Sequence, residues 1–422
     1  MVHTINHESS PISREEAVID CVVIGAGPAG LAAAIAAARD GGSVLVLEKN
    51  DRAGKKLLLT GGGRCNLRDP EVPPLDALEA FGRSGLFLRQ ALAAFDWSGF
   101  LDDLGAELER EGEAVYVRGG ARRMLELLLA AAEERGAGVR TRCAINHVGG
   151  GEHGFAISLG EDVLECRRII LATGGVTYPG TGSSGDGFAW ARSLGHDIDP
   201  PCPALGALVT EPSFPELSGV SLPRAEFSFP TGRKRRCARE GGLLFTHEGF
   251  SGPAALNIGL ELARAGKLRD AQFRLDLVPG MTAEELTAAL IARARSETKR
   301  SIGTAGLGDL LPVRLLARMA DLAGIKPERR MGSISHKEHV RLAAAIKGLG
   351  LKLGAAPSPS GSMITVGGVS TARIDPRSME SRVTGGLFFA GEMLSPAGPC
   401  GGYNLLMAFA TGTAAGAAVR DT

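Results

Sequence analysis

The sequence predicts an α/β protein: one discontinuous domain built on a βαβ unit, interrupted by a module with a β part and a helical part. Three observations carry this expectation. A short apolar run ends in glycines and is followed by an Ala-rich stretch and a second apolar run. The composition turns Pro-rich at Asp199-Pro200-Pro201-Cys202-Pro203 and again at Pro357-Ser358-Pro359-Ser360-Gly361. Strand-like segments resume after the second break. The expected division is a disordered tail over 1–16, a domain over 17–198 and 358–422, and an insert over 199–357, β-rich over 199–260 and helical over 281–350.

The elements follow in order. Val18 to Ile24 is a buried strand by its unbroken apolar pattern, Gly30 to Arg39 fits a helix, and Ser43 to Leu47 is a second buried strand. Gly120 to Arg135 has the period of an amphipathic helix, with Met124, Leu125, Leu128 and Leu129 on one side. Val139 to Val148, Phe155 to Leu159 and Val163 to Cys166 are spaced like a small antiparallel meander, and Arg168 to Leu171 is another buried strand. In the insert, 202–250 is strand-like, and Thr282 to Arg295, Leu311 to Leu322 and Lys337 to Ile346 are helical in pattern. Strands at Ile364 to Val369 and Leu387 to Ala390 and a small-residue helix from Asn404 close the chain.

With 422 residues, 44% of them hydrophobic, the chain can build more than one core. Lys plus Arg and Asp plus Glu are 47 each, so no whole-protein field favours nucleic acid or a membrane surface. The seven cysteines form no C-x-x-C pair and no metal-ligand spacing, which reads as reduced thiols in a cytoplasmic protein without a metal site or a redox dithiol. The N-terminal residues lack the apolar core of a signal peptide, and no apolar run is long enough for a membrane span.

Gly25-Ala26-Gly27-Pro28-Ala29-Gly30 is a G-x-G-x-x-G between strand and helix. The first glycine permits the tight turn, the second lets the backbone approach a pyrophosphate, and the third lets helix and strand pack closely. The helix N-terminus offers unpaired N–H groups and partial positive charge to phosphates. Glu48 ends the second strand about 20 residues on, where a carboxylate accepts from ribose hydroxyls and repels a 2′-phosphate. Lys49 follows it. This unit alone does not separate FAD from NAD.

Three later segments favour FAD. Lys56, then Gly61-Gly62-Gly63-Arg64-Cys65-Asn66, makes a glycine nest flanked by cations and suited to phosphate or ribityl oxygens. Ala172-Thr173-Gly174-Gly175 follows a buried strand and precedes a second glycine cluster ending in Asp186-Gly187. Phe389-Ala390-Gly391-Glu392, then Gly401-Gly402-Tyr403-Asn404-Leu405, is a strand ending in Gly-Glu followed by a helix start. Glu392 could accept from ribityl hydroxyls, and the last helix could aim its N-terminus at the flavin side where negative charge grows on reduction. Ile145 joins the expected cofactor contacts. Only one dinucleotide fingerprint is present, so NADH or NADPH would act as a transient donor rather than hold a domain of its own.

On these motifs, with Tyr178-Pro179, Leu244-Phe245-Thr246-His247, Ser251-Gly252-Pro253 and Val366-Gly367-Gly368-Val369, the sequence resembles the bacterial aminoacetone-oxidase-family, or NAD(P)/FAD-dependent, oxidoreductases, a group that includes a bile-acid enone reductase. The resemblance covers nearly the whole chain after the tail. It implies a glutathione-reductase-like FAD-binding Rossmann domain with an inserted β-barrel-like and helical module. More distantly, Asp186, Glu392 and Asn404-Leu405 resemble FAD-contact positions of the fumarate-reductase group. The stretch Met393 to Cys400 departs from the acidic and aliphatic stretch usual in the family, which bears on substrate more than on cofactor.

Candidate proton donors are Tyr178, His247, Glu248 and Tyr403. His247 is suited to proton transfer near neutral pH and sits at an apparent return from the insert to the cofactor domain; its plainer reading is a loop anchor. Tyr403 reads first as a packing or stacking wall near the flavin, and Cys65 and Cys400 as small packing residues rather than reactive thiols. Arg233-Lys234-Arg235-Arg236 reads first as a solvated hairpin tip and second as a contact for an acidic partner or RNA. The expectation is an FAD-dependent oxidoreductase of a small organic substrate, its site where the insert caps the flavin, reducing a conjugated carbonyl or oxidising a small amine. A nucleic-acid-modifying flavoprotein and a redox sensor are the rival classes; substrate and oligomeric state are not legible.

Overall fold

The computed structural model describes residues 18–421 except 113, 233, 234 and 309. The tail and the first two residues of the basic run, Arg233 and Lys234, lie outside the described residues. The chain forms two compact units, one running to Cys202 and resuming at Ile364, the other Pro203–Met363.

The first unit is built on a parallel sheet in the order Gly138–Arg140, Val44–Leu47, Ile19–Ile24, Asp162–Leu171, with Leu387–Phe389 on the far side of Asp162–Leu171. Its inner strands are apolar on both faces, as helices on either side of a parallel sheet require; Cys21 to Ile24 and Ile169 to Leu171 are all buried. An antiparallel hairpin, His147–Gly151 and Gly154–Leu159, extends the N-terminal half of Asp162–Leu171. The meander therefore exists, with two corrections. Val163 to Cys166 and Arg168 to Leu171 are one ten-residue strand that changes partner midway. Val139 to Val148 is broken, because its start pairs in parallel with Leu45 to Leu47 and its end belongs to the hairpin.

The first helix begins at Pro28, two residues earlier than expected, because proline at the first helical position loses no hydrogen bond. It packs against the C-terminal helix Tyr403–Asp421 at very short range: a Cβ on Gly412 would lie 2.3 Å from the Ala29 carbonyl oxygen, and one on Gly416 2.1 Å from that of Ala33. The small-residue composition of both helices thus records a backbone-to-backbone approach. Gly120–Glu134 buries Ala121, Met124, Leu128 and Ala132, while Leu125 and Leu129 are only half-buried at the margin of that stripe. Helices Gly85–Ala94 and Trp97–Asp103 and a three-stranded sheet of Asn66–Leu67, Ala114–Val117 and Leu108–Glu111 fill a stretch whose pattern gave no expectation.

The second unit is a closed antiparallel barrel, in the order Leu208–Glu211, Gly249–Ser251, Arg236–Phe245, Ser221–Pro230, Gln272–Asp276, Leu349–Ala355. Phe214, Phe227, Phe245, Phe250 and Phe273 fill it, with edge-to-face rings such as Phe245–Phe250 at 4.9 Å. The β part and helical part are not successive, as the sequence had suggested. The helices Ala283–Ser296, Val313–Leu322 and His336–Lys347 sit between the last two barrel strands, so the barrel closes only after them. Pro253–Arg264, inside the expected β part, is a helix opened by its proline. The Pro-rich stretch is likewise strand, Ile198–Gly206, pairing with Ser362–Val369 as the chain leaves and re-enters the first unit.

Candidate functional site

In the first unit the sheet register brings four strand ends level. Ile24 lies opposite both Leu47 and Leu171, and Leu171 opposite Phe389. The next residues continue the ladder: Gly25 N donates to Leu47 O at 2.8 Å, Ala172 N to Ile24 O at 2.9 Å, and Ala390 N to Leu171 O at 3.1 Å. Segments more than two hundred residues apart thus share the carboxyl edge of one parallel sheet, where open α/β sheets place their ligands.

At that edge the first turn has the expected shape. Gly25 has φ +106° and a Cβ on Gly30 would sit 1.8 Å from the Gly25 oxygen. A Cβ on Gly27, by contrast, would meet nothing within 4 Å. Gly27 therefore serves not the packing of the chain but an open space beside the first N–H groups of the helix, those of Ala29 and Gly30. Glu48 is buried, one oxygen accepting from Ala26 N at 3.0 Å and the other from Asn50 N at 2.9 Å and Asn50 Nδ2 at 2.6 Å. The carboxylate is thus fixed by the chain before any ribose arrives, and the oxygen bound to Ala26 N keeps acceptor capacity.

The second glycine run is a nest: Gly61, Gly62 and Gly63 have φ of +58°, +65° and +90° in succession. A Cβ on Gly61 would strike Asn66 N at 2.9 Å, whereas one on Gly62 would meet nothing. Arg64 leans on the Tyr116 ring at 3.7 Å and pairs with Glu111 at 2.6 Å, an exposed anchor of the small sheet. Cys65 is buried, and burial pushes its thiol up to about 12; the Cys400 thiol is pushed up to about 11 for the same reason. Neither is a ready thiolate, which supports the packing reading.

Gly391-Glu392 and Gly174-Gly175 meet in a polar cluster that no motif announced. Lys56 Nζ lies 2.7 Å from Glu392 Oε2 and 2.8 Å from Thr177 Oγ1. Glu392 Oε1 accepts from Thr365 N at 2.9 Å and Thr177 Oγ1 at 3.2 Å, and Val176 N donates to Thr365 Oγ1. A Cβ on Gly175 would strike Thr365 and Glu392. Thr411 on the last helix accepts from Gly391 N at 2.9 Å, fixing the turn from below. Lys49 bonds Ser184 and Asp186, and Asn50 bonds the Thr181 carbonyl, so the second strand's end holds the loop after Gly175. Thr177, Thr365 and Thr411, all buried, are site residues missed by motif reading.

Several candidates are placed differently from expectation. The Asn404 carboxamide is consumed locally, accepting from Gly398 N at 2.7 Å and donating to Gly398 O at 2.8 Å, so it shapes the Met393–Cys400 stretch; the unpaired donors there are the first N–H groups of the helix after Gly402, Leu405 among them. Tyr403 packs edge-on against Phe81 with Arg68 over its ring, a wall. Tyr178 adopts a left-handed φ of +52° beside Thr177. Ile145 is half-buried in the loop after Gly138–Arg140. His247 and Glu248 are exposed at a hairpin tip closed by Thr246 N to Gly249 O at 2.9 Å. That tip joins two barrel strands of the second unit and is not a return to the first.

Among the described residues no cluster of His, Cys, Asp and Glu has the makings of a metal site, and no helix is long and apolar enough to cross a membrane. The profile of the HI0933-like protein Rossmann domain matches residues 19–418. The chain belongs to the HI0933-like family. The HI0933-like chain is 31% identical over 409 residues to a 3-dehydro-bile acid delta(4,6)-reductase of Clostridium scindens, covering 94% of this chain and 98% of that one. It is 28% identical over 401 residues to a ribosomal RNA dihydrouridine synthase of Escherichia coli, covering 93% and 96%. Its fold matches a 3-ketosteroid-delta4-(5alpha)-dehydrogenase from Rhodococcus jostii with a TM-score of 0.54 and 19% identity, over 97% and 98% of the two chains. This HI0933-like protein is an FAD-dependent oxidoreductase with a Rossmann-type FAD-binding domain, as the motif resemblance implied. The open spaces at Gly27 and Gly62, the pre-fixed Glu48 and the helix N-termini fit FAD.

Proposed function

We propose that the protein reduces a carbon–carbon double bond conjugated to a carbonyl group. The observation that carries this is the near full-length relationship to a 3-dehydro-bile acid delta(4,6)-reductase, whose name describes ring double bonds conjugated to a 3-oxo group. The second relative works on the same bond type, since the uracil double bond that becomes dihydrouridine is conjugated to a ring carbonyl. Two relatives with dissimilar substrates thus share one reaction, and that reaction is what we assign.

FAD, when bound, supplies the hydride. The chain would hold it with the N–H groups of Ala29 and Gly30 at the pyrophosphate, Glu48 at the ribose, the Gly61 to Gly63 nest, and Gly391, Gly402 and Leu405 on the flavin half. Lys56 and Thr177 orient Glu392, so that its carboxylate keeps one position as oxygens approach. Net addition of hydride and proton across the double bond also needs a proton donor. Of the four expected donors Tyr178 fits best. Its left-handed backbone is uncommon for a bulky residue and is a mark of functional constraint, and it adjoins the Lys56–Thr177–Glu392 cluster. We assign NADH or NADPH as transient electron donor and a small organic molecule as substrate, and place the protein in the cytoplasm on its scattered cysteines, which form no C-x-x-C spacing.

The deciding experiment is anaerobic bleaching of the purified flavoprotein by NADH and NADPH, followed by reoxidation with a steroid enone, a uridine-containing RNA, a small-enone panel or oxygen. Nicotinamide bleaching with recovery driven by a conjugated acceptor is expected. Bleaching by small amines with oxygen return would replace the reductase reading with an oxidase. Tyr178→Phe should retain FAD and bleach normally but recover about 10²–10⁴-fold more slowly with the acceptor; an unchanged rate removes Tyr178 from the role.

A further inference from the structure

A half-buried cation beside the FAD motifs has no counter-charge among the described residues. Lys49, Lys55, Lys56 and Arg64 each meet a carboxylate, those of Asp186, Asp51, Glu392 and Glu111, at 2.6–2.7 Å. Arg68 meets none, and its Nε is buried without a hydrogen-bond partner. Its nearest acid in sequence is committed elsewhere. Asp69 accepts from Arg110 at 2.7 and 3.0 Å and from Glu71 N at 3.0 Å, and Glu71 itself pairs with Arg110 at 2.8 Å. What the Arg68 guanidinium does meet is the Tyr403 ring, 5.2 Å from its centre, a cation–π contact. A guanidinium stays charged and offers only donors. Taking one part-way out of water without an acceptor is costly, so the acceptor is expected from outside the chain.

The backbone fixes where that acceptor comes. Arg68 follows the strand Asn66–Leu67, wedged between two of the glycines assigned to FAD. A Cβ on Gly61 would lie 3.0 Å from Asn66 Cβ, and one on Gly402 2.0 Å from Arg68 N. The Arg68 carbonyl accepts from the indole N–H of the buried Trp97 at 2.9 Å. The other neighbours bring no charge. Met393–Cys400 contains no Asp, Glu, Lys, Arg or His. Gly398 within it is squeezed between Phe81 and Tyr403, since a Cβ there would lie 2.8 Å from each. The phosphates of FAD are assigned to the N–H groups of Ala29 and Gly30, which leaves this cation to another oxygen. A fixed cation beside aromatic and apolar walls suits a neutral molecule with one polar oxygen.

We propose that Arg68 is a catalytic residue that holds the carbonyl oxygen of the conjugated substrate as negative charge gathers on it. The proposal rests on the reduction reading. Hydride bonds to the β-carbon, the carbon–carbon π pair moves between the α-carbon and the carbonyl carbon, and the carbonyl π pair moves onto oxygen. That oxyanion accepts from the Arg68 guanidinium. The α-carbon then takes the proton from Tyr178, and the carbonyl re-forms. A cation in place before the charge develops needs no reorganisation at the moment of reaction.

Two measurements on the intact flavoprotein test this. The first uses no turnover: p-nitrophenol, whose phenolate oxygen resembles the oxyanion, is titrated by difference absorbance against the oxidised protein. Bound to the parent it should lose its proton at a pH about 1–3 lower than in water. Arg68→Gln should abolish that shift, and Arg68→Lys, which keeps the charge without the fork, should keep part of it. The second follows reduction and reoxidation. Arg68→Gln should keep its FAD and bleach with nicotinamide as the parent does, while the limiting rate of recovery with a small uncharged enone falls about 10²–10³-fold. Arg68→Lys should fall less. An unshifted p-nitrophenol on the parent, or the same shift on parent and Arg68→Gln, overturns the assignment. Loss of FAD from both variants would give the cation to the cofactor and overturn it too. So would a raised half-saturation concentration with an unchanged limiting rate, the mark of a binding anchor alone. A parent that recovers with no conjugated acceptor overturns the reduction reading, and the titration, free of turnover, tells that failure apart from one at Arg68.

Discussion

The sheet edge of the first unit and the core of the barrel are organised by opposite means. At the edge, what matters is where side chains are absent: Gly25, Gly30, Gly175, Gly391 and Gly402 are required because a Cβ would strike backbone or a neighbouring side chain, several within 2.6 Å. In the barrel, what matters is where they are largest, five phenylalanines packed ring to ring. The edge is built to be approached by something, the barrel to exclude everything. Substitutions at the edge should therefore act through clashes or through a lost ligand, and in the barrel through cavities.

The largest expected effect is at Gly30. Valine there puts a carbon 1.8 Å from the Gly25 oxygen and should abolish folded, yellow protein. The sharper experiment is Gly27→Ala. No protein atom lies within 4 Å of the new methyl group, and its φ of −83° is ordinary for alanine. The apoprotein should melt as the parent does, while FAD retention falls severely. Destabilised apoprotein would mean that Gly27 serves the fold; unchanged FAD retention would put the pyrophosphate elsewhere.

Phe250→Ala tests the other side of the comparison. Phe250 is fully buried and contacts the rings of Phe214, Phe227 and Phe245. Its loss should cost ~3–5 kcal/mol in denaturant unfolding. A small cost would mean that the barrel collapses around the gap and is less rigidly packed than its rings indicate.

The same contrast explains what was legible in the sequence. Gly25 to Gly30 and Glu48 could be read directly because their roles are set by local backbone demands and one short βαβ spacing. Thr365 and Thr177 around Glu392, and Thr411 beneath Gly391, could not, because each is an unremarkable threonine until strands from distant parts of the chain align. The closed barrel was only partly legible for the same reason: its final strand, Leu349–Ala355, follows more than seventy residues of mostly helical chain. Pro253 opens a helix inside the stretch expected to be β-rich. His247 shows the limit of motif reading most clearly, since its segment matched the family while its side chain stands exposed on a barrel hairpin.

The smallest effect concerns the helical part of the second unit, which is held by local caps rather than by either glycines or aromatics. Ser335 and Glu338 form a capping box, Ser335 N donating to Glu338 Oε2 at 2.8 Å, and Arg329 pairs with the same carboxylate. The Ser335 N–H first, then Arg329 and the Ser335 hydroxyl, hold the Glu338 carboxyl at about 2, down from 4.5. A depressed carboxyl contributes stability that is complete above the unfolded value and disappears as pH falls through the folded one. The melting advantage of the parent over Glu338→Gln should therefore be constant above about pH 5, shrink between 4.5 and about 2, and vanish below. FAD retention should not differ between the two at neutral pH. An advantage that persists unchanged below about pH 2 would assign it to the geometry of the cap rather than to its charge, and the helical part would then resemble the glycine edge, where shape alone decides.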